Sequence, residues 1–386
     1  MEENKETKYS SIETELRDLV FSDAYQPGDK LPSENALAKQ YGVSRQTVRK
    51  ALEGLEREGY IYAVHGSGRY VSERTLHRKQ SKNIAVVMTY LSDYIFPKVI
   101  SGIDQVLSAN GYDLILKHTN NSRHGEIACL EELMGKDIDG IIIEPSKSNM
   151  YCKHTDLFGQ LERYEIPYVF IQGEYEAMAE KPHVLLDDEK GSFLLTKYLI
   201  ENGHREIYGI FKSDDSQGQK RHNGYARALA GAGIPYDPSH VIWFYTEDRK
   251  VHPVTSLQNI IRNGKNVDAV VCYNDQIARH VIRAIREVGK HVPEDISVTG
   301  YDNSDSASMD GKQLTTVVHP QEELGRLAAD MLLHLIRGEE TERRIVIEPV
   351  LVEGDTVRKK DAGKKKADAE PEQKQSKKTG HKVRKK

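Results

Sequence analysis

The chain has 386 residues, of which 38% are hydrophobic, and a formal net charge of -4 at pH 7, which predicts a soluble protein of two or more domains. Its three cysteines are widely separated and form no CxxC pair, which argues against a disulfide framework or a zinc knuckle and favours a reduced, cytoplasmic location. The first residues show neither a basic start nor an apolar run, and about 18 apolar residues never occur in succession, so neither export nor a membrane span is expected.

The first predicted elements are helices. Apolar residues at helical spacing predict a helix over about residues 9–20, which the proline and glycine of YQPGDKLPS then end. Ser33 is a suitable N-cap for a second helix, Gly42 supplies a turn, and Ser44 can cap a third helix that runs to about Gly59. Two helices joined by a short glycine turn predict a helix-turn-helix. The segments YIYAV and RYVSE predict two strands around HGSG, a hairpin that forms a wing beside the third helix.

The third helix carries its cations on one side. In GVSRQTVRKAL, Arg45 and Arg49 stand four residues apart, whereas Val48 and Leu52 are predicted to face the core. Residues 39–80 contain 9 Lys/Arg against 4 Asp/Glu, and the preceding 38 residues contain 4 against 9. An amphipathic helix with arginines is usually only a solvated face, so the helix alone is a weak signal of DNA binding. Its combination with the turn and the wing is much more specific.

The combined segment resembles a known DNA-binding domain. PGDKLPSENALAKQYGVSRQTVRKALEGLEREGYIYAVHGSGRYV is similar to the winged-helix domain of the GntR family, and the resemblance extends over residues 8–72 of a domain assigned to residues 1–72. It implies contacts to double-stranded DNA from Ser33, Glu34, Ser44, Arg45, Gln46, Thr47 and Arg49, and from His65, Gly66 and Ser67 in the wing. Glu34 is unusual beside an anion, because a carboxylate helps there only if it accepts from a cytosine amino group or orients a neighbouring arginine.

The following segments predict a linker and a second domain. Residues 73–83 are polar and aperiodic, as in a linker, and the second domain is assigned to residues 84–354. Short apolar runs then alternate with helical segments: IAVVMT, YDLILK, GIIIEP, YVFIQ, IYGIF, DAVVCY and ISVTGY. This alternation predicts an α/β fold with parallel sheets covered on both faces, in two lobes that divide near Pro182. Ligands of such sheets bind beyond the carboxyl ends of the strands.

Polar residues near the ends of these strands, and in the connections that follow, are candidate ligand contacts. The set consists of Tyr94, Lys98, His118, Glu144, Gln172, Arg221, Asn274, Asp302 and His319. Carboxylates and amides bind vicinal hydroxyl groups, and an aromatic ring such as that of Tyr94 can cover the apolar face of a sugar. The set does not have a metal-ligand pattern, so no metal or cofactor is expected. A residue after a strand is more often a helix cap than a ligand contact, and Asp275 is interpreted as such a cap.

The second domain resembles the effector domain of the LacI/GalR family, which shares its fold with periplasmic sugar-binding proteins. VCYNDQIARHVIRAI, VPEDISVTGYDNS and LTTVVHPQEELGRLAADMLL carry the resemblance. The effector contacts that it implies are Arg221, Asn274, Asp302, Gln172 and His319. His319 departs from the family, in which glutamine is frequent at this position.

A GntR-type DNA-binding domain joined to a LacI/GalR-type effector domain is similar to the arabinose-operon repressors. This resemblance implies a homodimer that binds palindromic operators, is released by L-arabinose, and controls genes for arabinose uptake and use. The residues themselves distinguish neither one sugar from another nor an inducer from a co-repressor.

Two other classes of protein fit the sequence less well. A glycoside hydrolase needs two carboxylates at a defined separation, and Glu144, Asp187, Asp188 and Asp302 are the candidates for that role. Hydroxyl binding readily explains these carboxylates, whereas an enzyme would leave the DNA-binding domain without a use. A transport binding protein would share the fold, but the N-terminal sequence lacks the features of a signal peptide. We therefore expect a regulator rather than an enzyme.

The C-terminal residues have a different composition from the rest of the chain. Residues 358–386 contain 13 Lys/Arg and 4 Asp/Glu and almost nothing apolar, so we predict a basic, disordered tail and assign it to residues 355–386. Such a tail can add nonspecific attraction to nucleic acid, although a merely solubilising tail explains the composition equally well.

Overall fold

The computed structural model describes residues 12, 15–17, 19, 20, 25, 26, 28–57, 60–72, 81–91, 94–309 and 311–360. They form a small N-terminal domain and a larger α/β domain of two lobes. The predicted linker up to residue 80, the predicted tail from residue 361 and parts of the predicted first helix lie outside the described residues. None of the described helices combines the length and the apolar composition that a membrane crossing requires.

The N-terminal domain contains the predicted helix-turn-helix and wing. Its elements are helix α1 (Glu34–Tyr41), helix α2 (Arg45–Arg57) and an antiparallel hairpin of β1 (Ile61–Val64) and β2 (Gly68–Val71). Gly42 ends α1 with a φ of 65°, in the left-handed region that glycine adopts without strain. The apolar face of α2 is buried as predicted, with Val48, Leu52 and Leu55 at most 1% exposed.

The larger domain contains fourteen strands and eight α-helices within the described residues. The strands are β3 (Asn83–Met88), β4 (Asp113–His118), β5 (Gly140–Ile143), β6 (Tyr168–Ile171), β7 (His183–Leu186), β8 (Ile207–Lys212), β9 (Val241–Phe244), β10 (Ala269–Cys272), β11 (Ser297–Thr299), β12 (Ser308–Met309), β13 (Lys312–Gln313), β14 (Thr316–Val318), β15 (Arg344–Ile347) and β16 (Val350–Val352). The helices are α3 (Phe96–Ala109), α4 (Arg123–Met134), α5 (Thr155–Arg163), α6 (Asp188–Glu201), α7 (Ser216–Gly231), α8 (His252–Arg262), α9 (Asp275–Glu287) and α10 (Gln321–Ile336).

Each lobe is built on one parallel sheet. The first sheet has the strand order β15-β7-β6-β5-β3-β4, and the second has the order β11-β10-β8-β9. Strands β5, β6 and β10 are buried along their whole length, which agrees with their continuous apolar sequences. All seven predicted strands are present, and the sheets contain in addition the short strands β7, β9 and β15, which were not predicted.

The chain passes between the lobes three times. It crosses first between β7 and α6, then near β14 on the way to α10, and finally near β16, which pairs antiparallel with β14. Strand β7 belongs to the first sheet, so the first lobe extends slightly beyond the predicted division at Pro182. Helix α10 and strand β15 return to the first lobe, where α10 packs on α3. The three crossings form a hinge on one side of the domain.

The structure extends the larger domain at both ends. The backbone N–H groups of Ser81 and Lys82, assigned above to the linker, donate to the Asp139 carboxylate at 2.9 and 3.0 Å. Residues 355–360, assigned above to the tail, pack against the second lobe, where the Arg358 carbonyl lies 3.0 Å from the His204 Nε2 and Lys360 pairs with Asp268. The domain therefore includes residues 81–360.

Two glycines allow α3 and α10 to cross closely. A Cβ atom at Gly102 would lie 2.1 Å from the Glu322 carbonyl oxygen, and a Cβ atom at Gly325 would lie 2.2 Å from the Val99 carbonyl oxygen. Both obstacles are backbone atoms of the facing helix, so relief requires that the helices move apart.

We predict that Gly102→Ala destabilises the first lobe by about 1–3 kcal/mol, because the added methyl group overpacks this crossing. The control is Gly159→Ala in α5, where a Cβ atom would meet no atom within 4 Å, and where alanine should stabilise the helix by about 0.5–1 kcal/mol. Thermal unfolding of both variants measures the difference. Equal unfolding temperatures would contradict the close crossing.

Candidate functional site

Three arginines converge on one carboxylate at the surface of the N-terminal domain. Glu34 at the start of α1 accepts from Arg45 Nε at 2.8 Å and from Arg49 Nη2 at 3.1 Å, both on the first turns of α2. Its other oxygen accepts from Arg69 Nη1 at 3.0 Å, on strand β2 of the wing. Arg69 also reaches Glu56 at 3.4 Å. One acidic side chain therefore connects the two helices and the wing.

Two of the three arginines remain accessible although they are paired. The side chains of Arg45 and Arg49 are 59% and 50% exposed, whereas that of Glu34 is 15% exposed. The hydrogen bond from Arg49, with those from Arg45 and Arg69, lowers the pKa of Glu34 to about 2 despite partial desolvation. Of the two roles considered for Glu34, the structure contains the partners for the second, the orientation of neighbouring arginines.

The other predicted residues of this domain lie on the same two helices and at the tip of the hairpin. Ser33 caps α1 by accepting from the Ala36 N–H at 3.2 Å, and Ser44 accepts from the Thr47 N–H at 3.1 Å. Gln46 is exposed on the first turn of α2. His65, Gly66 and Ser67 form the exposed hairpin tip, where Gly66 has a φ of 75°. Sequence reasoning missed Arg69, although the segment SGRYV placed a cation next to the wing tip.

A cavity lies between the lobes, beyond the carboxyl ends of the parallel strands. Six of the nine predicted effector contacts line it, namely Tyr94, Glu144, Gln172, Arg221, Asn274 and Asp302. Five of them lie at strand ends or in the connections that follow, and Arg221 lies in the second turn of α7. This agrees with parallel sheets whose carboxyl ends face each other across a cleft. A cleft in this position is a common site for a small organic ligand.

The deepest charge of the cavity is the guanidinium of Arg221. Its Nε donates to Asp188 at 2.8 Å, its Nη1 to the Tyr273 carbonyl at 2.6 Å, and its Nη2 lies 3.4 Å from Asp302. The guanidinium carbon stacks 3.6 Å from the ring centroid of Tyr301. The arginine is 2% exposed, so these partners together replace its hydration.

Asp302 joins the two lobes through a second partner. The hydroxyl of Tyr94, which precedes α3 in the first lobe, donates to the free carboxylate oxygen of Asp302 and lies 3.1 Å from the Tyr301 carbonyl. Desolvation, followed by the charge of Asp302, raises the pKa of Tyr94, which keeps the hydroxyl a donor. Asp302 and Tyr94 both have positive φ angles, 97° and 65°, at this junction. A ligand hydroxyl that binds Asp302 must share this carboxylate with Tyr94.

Polar groups on the remaining walls of the cavity differ in how many hydrogen-bond partners they have within the protein. Glu144 accepts from the Thr89 N–H at 2.8 Å and the Thr89 hydroxyl at 2.6 Å, and burial raises its pKa to about 7. Gln172 is 3% exposed, and its Nε2 has no partner among the described protein atoms. Asn274 accepts from the Ile277 N–H at 3.0 Å as the N-cap of α9. An unsatisfied buried amide in a polar cavity is a donor available to a ligand.

The cap at α9 differs from the interpretation made from the sequence. Asn274 caps the helix, whereas Asp275, assigned there as the cap, is buried and accepts from the Ser304 N–H at 2.8 Å and the Thr316 hydroxyl at 2.8 Å. Asp275 therefore joins α9 to the hinge segment that leads to β14. Asn274 retains its amide NH2 group for the cavity that it lines.

Three predicted contacts are not among the described residues that line the cavity. Lys98 lies on α3 and pairs with Asp305 at 2.8 Å, and His118 is exposed at the end of the edge strand β4. His319 is 4% exposed, and its backbone N–H donates to the Asp302 carbonyl at 3.2 Å. Burial lowers the pKa of His319 to about 4, so its ring is neutral behind the cavity wall.

Further side chains line the cavity beside the six predicted contacts. The further side chains at the cavity include Thr89, Tyr90, Phe96, Asn121, Lys212, Asp215, Gln217, Phe244, Arg249, Tyr273 and Gln276. Several of them follow β3, β8 and β9, so the carboxyl ends of those strands were the available signal. The lining carries three carboxylates (Glu144, Asp215, Asp302) and three cations (Lys212, Arg221, Arg249). The similar numbers of acidic and basic groups and the five aromatic rings suit a polar, uncharged ligand with an apolar face.

The carboxylates considered for hydrolysis have other partners. Asp187 caps α6 by accepting from the Lys190 N–H at 2.9 Å, and Asp188 pairs with Arg221. In the described part of the chain, no three His, Cys, Asp or Glu side chains are grouped so that they could hold a metal ion. The three cysteines are buried and unpaired.

We predict that Glu34→Gln destabilises the N-terminal domain by on the order of 1 kcal/mol at neutral pH, since three ion pairs lose their charge. The folded-state pKa of about 2 lies below the ordinary value of 4.5, so the stabilisation is complete above about pH 4.5 and disappears as the pH falls towards about 2. Calorimetric unfolding of both proteins from neutral to acidic pH tests this. A difference that persists unchanged at low pH would refute the assignment.

Comparison with known proteins agrees with the two-part architecture. Residues 8–71 match the family model for bacterial regulatory proteins of the gntR family, and residues 196–357 match the model for a periplasmic binding protein-like domain. Among solved structures, the transcriptional regulator CelR in complex with cellobiose superposes with a TM-score of 0.65 at 24% identity, over 84% of this chain and 100% of that chain. This similarity supports the fold.

Two relatives match nearly the whole chain. The arabinose metabolism transcriptional repressor of Halalkalibacterium halodurans is 38% identical over 360 residues, which cover 90% of this chain and 96% of the relative. The protein of the same description from Geobacillus stearothermophilus is 37% identical over 91% of this chain and 98% of the relative. The chain thus belongs to the family of DNA-binding transcriptional repressors that join a GntR-type winged helix to a LacI-type periplasmic binding protein-like domain.

Proposed function

We propose that the protein is a cytoplasmic repressor that binds palindromic operator DNA as a homodimer and is released by L-arabinose. The observation that carries the proposal is the pairing of two sites in one chain: an exposed arginine cluster on a winged helix and a polar cavity between two hinged lobes. The relatives with 37–38% identity are described as repressors of arabinose metabolism, which supports this sugar over others.

The DNA-binding site consists of the predicted residues of α1, α2 and the wing. Arg45, Gln46 and Arg49 lie at the N-terminal end of α2, from which a recognition helix reaches base edges in the major groove. Ser33, Ser44 and Thr47 supply hydroxyl groups suited to phosphate contacts. His65, Gly66 and Ser67 at the wing tip are placed to enter the adjacent minor groove. Two such domains in a two-fold symmetric dimer match the two halves of a palindrome.

The effector site is the cavity between the lobes. Asp302 and Glu144 offer carboxylate acceptors, Gln172 and Asn274 offer amide donors, and Arg221 completes a set that suits a ligand with several hydroxyl groups. Tyr94 adds an aromatic ring of the kind that packs on the apolar face of a sugar. Lys98, His118 and His319 do not line the cavity, and we assign them no direct contact with the sugar.

The two sites are coupled through the lobes. A sugar that contacts both lobes favours their closed arrangement. DNA is released if, in this arrangement, the distance between the two winged helices no longer matches the half-site spacing. Coupling of this kind is reciprocal, so operator DNA weakens sugar binding by the same factor.

The proposed function is tested by titrating L-arabinose into the protein bound to a palindromic operator fragment, with DNA binding followed by fluorescence anisotropy at constant salt. We expect L-arabinose to release the DNA, whereas D-xylose and D-galactose do not. Release by another sugar alone would replace the effector, and tighter DNA binding would make L-arabinose a co-repressor.

We predict opposite defects for one variant in each site. Arg45→Ala should weaken operator binding by about 1–3 kcal/mol, on the order of 10- to 100-fold, and leave sugar binding unchanged. Asp302→Asn should leave operator binding unchanged and strongly weaken sugar binding, since the ligand loses a charged acceptor. Anisotropy and calorimetric titration measure the two affinities. Loss of sugar affinity in Arg45→Ala would contradict this division of labour.

A further inference from the structure

The loops at the far edge of the cleft touch each other directly. Strands β4 and β9 are the edge strands of their sheets, on the side away from β15 and β11. The hinge segments follow β7, β11 and β15, so the loops after β4, β5, β8 and β9 lie on the opposite side of the cavity. Contacts at this position can form only when the lobes are closed.

Hydrogen bonds join the two lobes at these loops. Ser148, in the loop after β5, accepts from the backbone N–H of Ser216 at 2.9 Å, at the N-terminus of α7 in the second lobe. The two serine hydroxyl oxygens are 3.1 Å apart, and Ser148 is 5% exposed. Asn149 Nδ2 donates to the Ser213 carbonyl at 3.0 Å. These bonds use backbone groups that an open arrangement would leave to water.

A second pair of hydrogen bonds involves the wall of the cavity. Asn121, which lines the cavity, donates from Nδ2 to the Thr246 hydroxyl of the second lobe at 2.6 Å. Its amide oxygen accepts from the Lys147 N–H at 2.8 Å. Asn121 therefore connects the cavity surface to the loop that carries Lys147, Ser148 and Asn149.

Charge complementarity completes the contact. Lys147 Nζ of the first lobe lies 2.5 Å from Glu247 Oε1 and 3.6 Å from Asp214 Oδ2, both in the second lobe. Asp214 is 0% exposed, and its nearest cation within its own lobe is Lys212 at 3.6 Å. The side chain of Lys147 is 20% exposed, so this cross-lobe attraction is partly shielded from solvent.

We propose that these contacts form a clasp that stabilises the closed lobes and sets the affinity for the effector mainly through residues that do not line the cavity, since Asn121 is the one clasp residue that lines it. The clasp consists of Asn121, Lys147, Ser148 and Asn149 on the first lobe and Ser213, Asp214, Ser216, Thr246 and Glu247 on the second. Among the described residues, Lys147 and Ser148 do not line the cavity. This inference rests on the proposed function, in which the sugar binds between closed lobes.

A clasp of this kind has an unusual thermodynamic signature. The ligand is uncharged, so salt should have little direct effect on its contacts. The clasp contains an ion pair that forms only on closure, and closure is linked to ligand binding. Salt that screens the Lys147 pair therefore lowers the affinity for a neutral sugar.

The decisive variant is Lys147→Ala in the full chain, titrated calorimetrically with L-arabinose at low and high salt. We expect about three- to tenfold weaker binding than in the wild type, and loss of most of the salt dependence. The matched control is Lys136→Ala, which removes the same charge from a Lys136–Glu132 ion pair of 2.6 Å inside the first lobe. Identical affinity and salt dependence in the two variants would overturn the clasp.

A second measurement needs no sugar. The double variant Ser148→Cys, Ser216→Cys should form a disulfide across the cleft when oxidised glutathione takes up the two electrons and is reduced to two glutathione molecules. We expect this cross-link to form several-fold faster with Lys147 present than in the Lys147→Ala background. Equal rates would overturn the clasp. If the wild type binds no L-arabinose, the proposed effector fails, and the cross-linking rates still decide the clasp.

Discussion

The cleft is organised around one buried guanidinium. Arg221 has 2% exposure, and a charge so far from water is tolerated only when opposite charge and hydrogen bonds replace its hydration. Asp188 at the start of α6, the carbonyl of Tyr273 after β10 and Asp302 after β11 supply these partners. These partners come from three separate segments of the chain. Because Arg221 bonds to all three, it holds the segments together on the hinge side of the cavity. The second oxygen of Asp302 is then directed at Tyr94 of the first lobe.

Strand ends were the predictable part of the cavity. Glu144 and Gln172 directly follow buried parallel strands, and Asn274 and Asp302 follow within two or three residues, so the sequence places them at one edge of each sheet. Lys98 could not be placed in this way, because helical geometry turns it away from Phe96, which does line the cavity two residues earlier.

The unpredicted part of the cavity depends on long-range packing. Arg249 lies in the connection before α8 and Gln217 in the first turn of α7, and the positions of both depend on how these helices pack. The hinge could not be predicted either, because α10 and β15 return to the first lobe more than 130 residues after β7. The N-terminal domain was more predictable, since its helices, turn and hairpin are contiguous in sequence and carry their own capping residues.

In the DNA-binding site that we propose, the arrangement of Glu34 has a consequence for discrimination among DNA sequences. Because the carboxylate already holds Arg45, Arg49 and Arg69, an anion at this surface must compete with an internal one. A phosphate group that binds a single arginine gains little, because it only replaces the Glu34 carboxylate as the partner of that arginine. A base edge that matches the fixed directions of two guanidinium groups instead finds donors that are already oriented for it. The acid therefore reduces indiscriminate attraction and gives the surface a rigid pattern of donors, so that selectivity comes from shape as well as from charge.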